Sequence, residues 1–135
     1  MNTIINTSYV SDNEYTSTTT EGQQVKIDMK DEGKTDMSPM QLVLSALTGC
    51  VAVEVVSIIK KRRKTVADLK IKADGKRRDT APKYYTDIHM TFTLVSPDAN
   101  KEELDKAIKL SVEKYCSVGS SLKANITFEG VIERP

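Results

Sequence analysis

Ser38-Pro39-Met40-Gln41-Leu42-Val43-Leu44-Ser45-Ala46-Leu47-Thr48-Gly49-Cys50, continuing in apolar character to Ile59, is the stretch that decides how this chain folds. Ser38 is a capping residue, Pro39 fits the first helical position, and Gln41 stands where a capping box needs it. The helix so opened is expected to run to about Arg63. Its last turn carries Lys60, Lys61, Arg62, Arg63 and Lys64, which complement the negative end of the helix dipole. That basic run reads as a solvated helix end rather than a nucleic-acid signal. From Leu42 to Ile59 the helix is apolar around most of its circumference, so it belongs in a core, an interface or a membrane. Its length is close to the minimum for a span. Glu54 lies inside it, Ser45, Thr48 and Ser57 dilute it, and the remainder reads as a soluble domain. The core or interface reading is therefore taken.

Outward from this helix, the first thirty-odd residues read as strands. Asn13 to Thr20 is rich in Thr with Tyr15. Glu21-Gly22 is a turn signal, and Gln24 to Lys30 alternates with Val25, Ile27 and Met29 on one face. After the helix, Asp68 to Ala73 alternates. Tyr84 to Val95 does so at length: Ile88, Met90, Phe92 and Leu94 point one way, Tyr85, Asp87, His89, Thr91 and Thr93 the other. One buried and one wet face point to an antiparallel sheet. A second helix starts at Asn100 with Glu103 completing its cap, turns Leu104, Ala107, Ile108 and Val112 inward, and ends near Tyr115-Cys116. Ala124 to Glu133 is the last strand, with Gly130 as a bulge. The fold class is α+β in a single domain, residues 1–135.

Bulk composition narrows the function. The chain has 135 residues, 20 Lys plus Arg against 19 Asp plus Glu, and 5% aromatics without Trp. Nothing demands a nucleic acid partner. A core short of aromatic area gains from burial at a subunit interface. The N-terminal residues show no basic start followed by an apolar signal core, so a cytoplasmic location is expected. In that compartment two cysteines read as free or catalytic thiols.

Catalytic hardware is sparse. A single His, no CxxC or HExxH spacing and scattered glycines offer neither a metal site nor a phosphate cradle, so no cofactor is expected. His89 reads as a surface residue, with a Cys–His pair as the alternative. Cys50 and Cys116 remain. Gly49, before Cys50, costs about 1 kcal/mol in mid-helix relative to Ala. It leaves room for a backbone or a substrate, and helix packing with Cys50 as filler accounts for it equally well. A reactive thiol must ionise. Glu54 shares the Cys50 face, and its charge alone disfavours a thiolate; it helps only by orienting a cation.

The run from Ser38 to Cys50, the apolar helix ending in Lys-Lys-Arg, and Tyr115-Cys116-Ser117-Val118 before a final strand together resemble the OsmC/Ohr family of osmotically inducible and organic hydroperoxide resistance proteins. The likeness covers about Glu14 to Val131 and is strongest to the OsmC-like, YhfA-type branch. It implies an intertwined α+β homodimer with two long central helices back to back. It also implies a thiol-dependent peroxidase. Cys50 would attack an organic hydroperoxide, Cys116 would resolve the Cys50 sulfenic acid, and an external dithiol, lipoyl-type in some members, would reduce the disulfide. The alternative is an OsmC-fold protein without efficient peroxidase activity, binding a small apolar ligand at the dimer cleft or sensing redox state. The sequence also departs from the family. Peroxidase members use an arginine from the N-terminal strands held by a glutamate ahead of the cysteine; here the first arginine is Arg62, and Met40 stands at the glutamate position. Arg77 or Arg78, with Glu54 as holder, is the candidate substitute; plain surface charge is the alternative reading of both.

Overall fold

The computed structural model describes all residues from Met1 to Pro135. They form two compact units, Met1–Val43 and Leu44–Pro135. The first holds an antiparallel sheet of β1 (Ile5–Ser11), β2 (Glu14–Thr19) and β3 (Gln24–Asp28), in that order. β2 and β3 match the expected strands. β1 lies within the region expected to form strands, although its bounds were not marked, and it pairs with β2 across a two-residue turn in which Asn13 has φ 65°. Register brings Tyr9 opposite Tyr15 and Tyr15 opposite Ile27, so Ile5, Tyr9, Tyr15, Val25 and Ile27 line one face.

Asp28 ends β3 and is buried. Its carboxylate accepts the backbone N–H groups of Lys30, Thr35 and Asp36, which closes the following loop around it. That loop delivers the chain to α1 (Pro39–Lys61). The cap is half of the expected box: Gln41 Oε1 accepts from the Ser38 backbone N–H at 2.9 Å and from Ser38 Oγ at 3.1 Å. At the other end Arg63 takes φ 62°, and Lys64 N–H bonds back to Ile59 C=O, a Schellman-type stop made without glycine.

In the second unit, β4 (Asp68–Arg77), β5 (Tyr85–Val95) and β6 (Asn125–Glu133) form one sheet in that order. β4 continues through Asp74-Gly75 to Arg77. β4 and β5 are antiparallel; β5 and β6 are parallel, so the sheet is mixed rather than antiparallel throughout. A parallel neighbour needs a crossover, supplied by α2 (Lys101–Leu110). Its Asn100–Glu103 capping box is complete. Val51, Val55, Ile59, Ile88, Met90, Phe92, Leu94, Leu104, Ala107 and Ile108 are among the buried core.

Three local expectations change. Tyr85 was placed on the wet face, yet it is only 7% exposed. The β4–β5 register skips Thr86, and one extra residue in a strand flips the side chains beyond it. Gly130 is not a bulge, since β6 keeps register with β5 through it. Its bare Cα instead admits α2: a Cβ there would lie 2.6 Å from Asp105 Oδ1 and 2.9 Å from Leu104 Cδ2. Finally, α1 buries only the stripe Leu47, Val51, Val55 and Ile59 within its own chain. Val53 is 69% exposed, and a Cβ on Gly49 would meet nothing within 4 Å.

Candidate functional site

Cys50 sits in the middle of α1, partly exposed, three residues beyond buried Leu47. The second helix ends at Tyr115-Cys116 as expected, but its last turn is not α-helical. After Leu110 the backbone widens into a π-helical turn, Ser111–Tyr115, and Cys116 leaves the helix with φ −76° and ψ 100°. Ser111 is buried where Val112 was expected, and its Oγ donates to Ala107 C=O at 2.7 Å. Cys116 then caps α3 (Ser117–Ser120), with Gly119 N–H donating to Cys116 Sγ at 3.2 Å. Gly119 holds this turn close: a Cβ on it would stand 3.4 Å from Cys116 Sγ, 3.5 Å from Ile126 Cδ1 and 3.6 Å from Leu47 Cδ1.

Both thiols are free, and they lie close enough for Cys50 to act on the Cys116 thiol. Burial is the largest influence on Cys116 and pushes its thiol up. Gly119 N–H pulls the other way, and the neighbouring Cys50 side chain pushes up again. The net shift is upward. Two neighbouring thiols of this kind can pass to a disulfide on oxidation. Sequence reading missed the N–H donors at Cys116. A cysteine four positions before a Ser, with Gly between, follows the spacing of a short capped turn and is the only local signal.

The supporting residues fall elsewhere. Glu54 is on α1 with no ion pair in its own chain. Arg77 Nε donates to Lys83 C=O. Arg78 donates to the carbonyls of Thr80, Ala81 and Pro82 and stacks over Tyr84 at 4.7 Å. Both arginines thus clamp the β4–β5 connection, and neither meets Glu54. Arg134 donates to the Ser96 and Ala99 carbonyls beyond the far ends of β5 and β6. Arg62 follows Cys50 by twelve residues on and past α1, about 18 Å along the axis. No arginine of this chain is paired with Glu54. His89 is exposed, with Nδ1 2.7 Å from Thr127 Oγ1 and Nε2 3.5 Å from Glu129, away from both cysteines. No group of three or more His, Cys, Asp or Glu residues is arranged to hold a metal ion.

The family described as OsmC-like protein matches residues 31–130. The protein YhfA of Escherichia coli K12 is 40% identical over 108 residues, covering 78% of this chain and 80% of YhfA. A hypothetical protein from Aquifex aeolicus has a solved structure with TM-score 0.89 and 31% identity, covering 100% of this chain and 98% of that one. An organic hydroperoxide resistance protein OsmC from Legionella pneumophila superimposes with TM-score 0.66 at 16% identity, over 98% of this chain and 97% of that one, a likeness of fold.

Proposed function

This chain belongs to the OsmC-like protein family, in the branch of YhfA, and from that premise we propose that it is a cytoplasmic, homodimeric thiol-dependent peroxidase acting on organic hydroperoxides. The observation that carries the reading is the proximity of two free thiols far apart in sequence: Cys50 is near enough to raise the Cys116 thiol, and Cys116 Sγ packs at Gly119 beside Leu47, one turn before Cys50. The fold it shares with hydroperoxide resistance proteins supports the choice of oxidant.

The chemistry follows from the pair. The Cys50 thiolate attacks the outer oxygen of ROOH, the O–O bond breaks, and the alkoxide takes a proton to leave as ROH. Cys50 becomes a sulfenic acid. Cys116 Sγ attacks that sulfur, the S–OH bond breaks, and water leaves. An external dithiol, lipoyl-type by family likeness, reduces the resulting disulfide by exchange, so one ROOH and one dithiol yield ROH, water and a disulfide.

Activation of Cys50 is the departure from the family pattern. No arginine of its own chain is paired with Glu54, and turnover is expected to be slow beside arginine-activated relatives. The test is turnover of cumene hydroperoxide with dithiothreitol. Cys50→Ser should abolish it, a loss of at least about 100-fold for removal of a nucleophile. Without dithiothreitol, Cys116→Ser should consume one equivalent of hydroperoxide and stop at a Cys50 sulfenic acid that dimedone traps. Undiminished turnover in Cys50→Ser would refute the proposal. Mass-spectrometric mapping after one equivalent of hydroperoxide should find the 50–116 disulfide within one chain.

A further inference from the structure

The β4–β5 connection and the approach to β6 concentrate cations that have no carboxylate partner. Lys76, Arg77, Arg78, Lys83 and Lys123 form no ion pair, although the chain as a whole carries a net charge of only +1. Asp79 and Asp87 are the nearby acids in sequence, and they too are unpaired. The arrangement is ordered. Arg77 and Arg78 are fixed by the carbonyls of residues 80–83. Arg78 Cζ and Lys123 Nζ both lie against the Tyr84 ring, at 4.7 and 5.0 Å from its centroid. Two like charges held on one ring repel each other, and an anion nearby relieves that repulsion.

This cluster lies at the thiol end of the sheet. β4 ends at Arg77, β5 begins at Tyr85 and β6 begins at Asn125, so the three strands share that end. Cys116 is tied to it through α3: its sulfur takes the Gly119 N–H, Leu122 N–H bonds Gly119 C=O, and Lys123 follows. From α1, Leu44 reaches the same end, with its Cδ1 3.3 Å from where a Cβ on Gly75 would stand.

We propose that this cationic rim selects a negatively charged thiol as the reductant of the Cys50–Cys116 disulfide. The inference rests on the two-thiol cycle proposed above. An organic hydroperoxide reacts as a neutral molecule and gains little from the rim. The reductant reacts as a thiolate, so a positive potential raises its local concentration and steers it in. Its thiolate attacks one sulfur of the disulfide, that S–S bond breaks, and the other cysteine leaves as a thiolate. A second thiol then cleaves the mixed disulfide. Two electrons pass to the protein, two protons are taken up by its cysteines, and the reductant leaves oxidised. Each further negative charge on the reductant adds to the attraction.

The test starts from protein oxidised with diamide, so it does not depend on hydroperoxide turnover. Reduction is timed with 3-mercaptopropionate, 2-mercaptoethanol and cysteamine, whose attacking forms carry charges of −2, −1 and 0. Rates are corrected to the thiolate fraction of each reagent. The ratio of the 3-mercaptopropionate rate to the cysteamine rate should fall about fivefold in Lys83→Glu/Lys123→Glu relative to the parent protein. In the parent protein the same ratio should decline as salt rises from about 20 mM to about 0.5 M, a readout that needs no variant to fold. A ratio indifferent to both salt and charge reversal overturns the proposal while leaving the two-thiol cycle standing. A change confined to oxidation by hydroperoxide also overturns it. Failure of diamide to produce the 50–116 disulfide sinks both readings.

Discussion

At the scale of single residues, buried polar groups here are held by the backbone around them. Asp28 shows the physics. Burial by itself would raise its pKa. The N–H groups of Thr35, Lys30 and Asp36, helped by the Lys30 ammonium, outweigh burial and bring it down to about 2. An unfolded aspartate titrates near about 3.9. The folded state therefore binds the proton less well, and the stabilisation from Asp28 is fully present above about pH 4 and is lost as pH falls through about 2. In Asp28→Asn, the pH dependence of stability across that window should shrink, measured as denaturant midpoints at pH 2 to 5. An unchanged acid limb would mean that the loop is held by something else. Cys116 obeys the same rules with the opposite outcome, because burial and the Cys50 neighbour win over the Gly119 donor. One residue-scale choice decides the site: a cysteine at the cap of a four-residue helix is pointed by its own turn rather than by a long element.

At the scale of elements, the π-helical turn Ser111–Tyr115 is what sets the direction of Cys116. A π turn inserts one extra residue into a helix and shifts all that follows by about 100°. Exposed Glu113 lies within it and can be removed without opening the core. Deleting Glu113 should restore ordinary helical register and carry Cys116 off its line to Cys50. The expected outcome is a folded protein, judged by circular dichroism, that fails to form the 50–116 disulfide with diamide. Disulfide formation at the parent rate would show that the turn has no part in aligning the thiols. The β4–β5 register skip at Thr86 is the strand counterpart, since it turns the Tyr85 ring against Gly75, where a Cβ would come within 2.5 Å of it.

At the scale of the whole molecule, apolar surface left open by the chain is the main unfinished feature. On α1 the exposed face carries Ala46, Gly49 and Val53. On the N-terminal sheet one face carries Ile5, Tyr9, Tyr15 and Val25, all exposed. Soluble proteins rarely leave such patches bare. The proposed homodimer gives α1 a partner, with Gly49 allowing close helix approach. Val53→Glu removes nothing from the core of the single chain, and it should weaken self-association at least about tenfold, or about 1.4 kcal/mol, in sedimentation equilibrium. An unchanged association constant would place the interface elsewhere.

By itself the sequence determined the elements that announce themselves by period and punctuation. The Ser38-Pro39-Met40-Gln41 start, the alternation from Ile88 to Leu94 and the Asn100–Glu103 cap all reflect forces acting within a few residues, so they are legible locally. The motif around Cys50 and the second cysteine carried the family as well. What the tertiary structure decided are the relations between distant segments. The parallel pairing of β6 with β5 depends on where α2 crosses. The burial of Tyr85 depends on a register skip that only its partner strand defines. The commitment of Arg77 and Arg78 to their own loop depends on carbonyls brought round by a turn. The meeting of the two thiols depends on a widened helical turn that no short-range pattern marks, because its hydrogen bonds are set by what packs on either side of it.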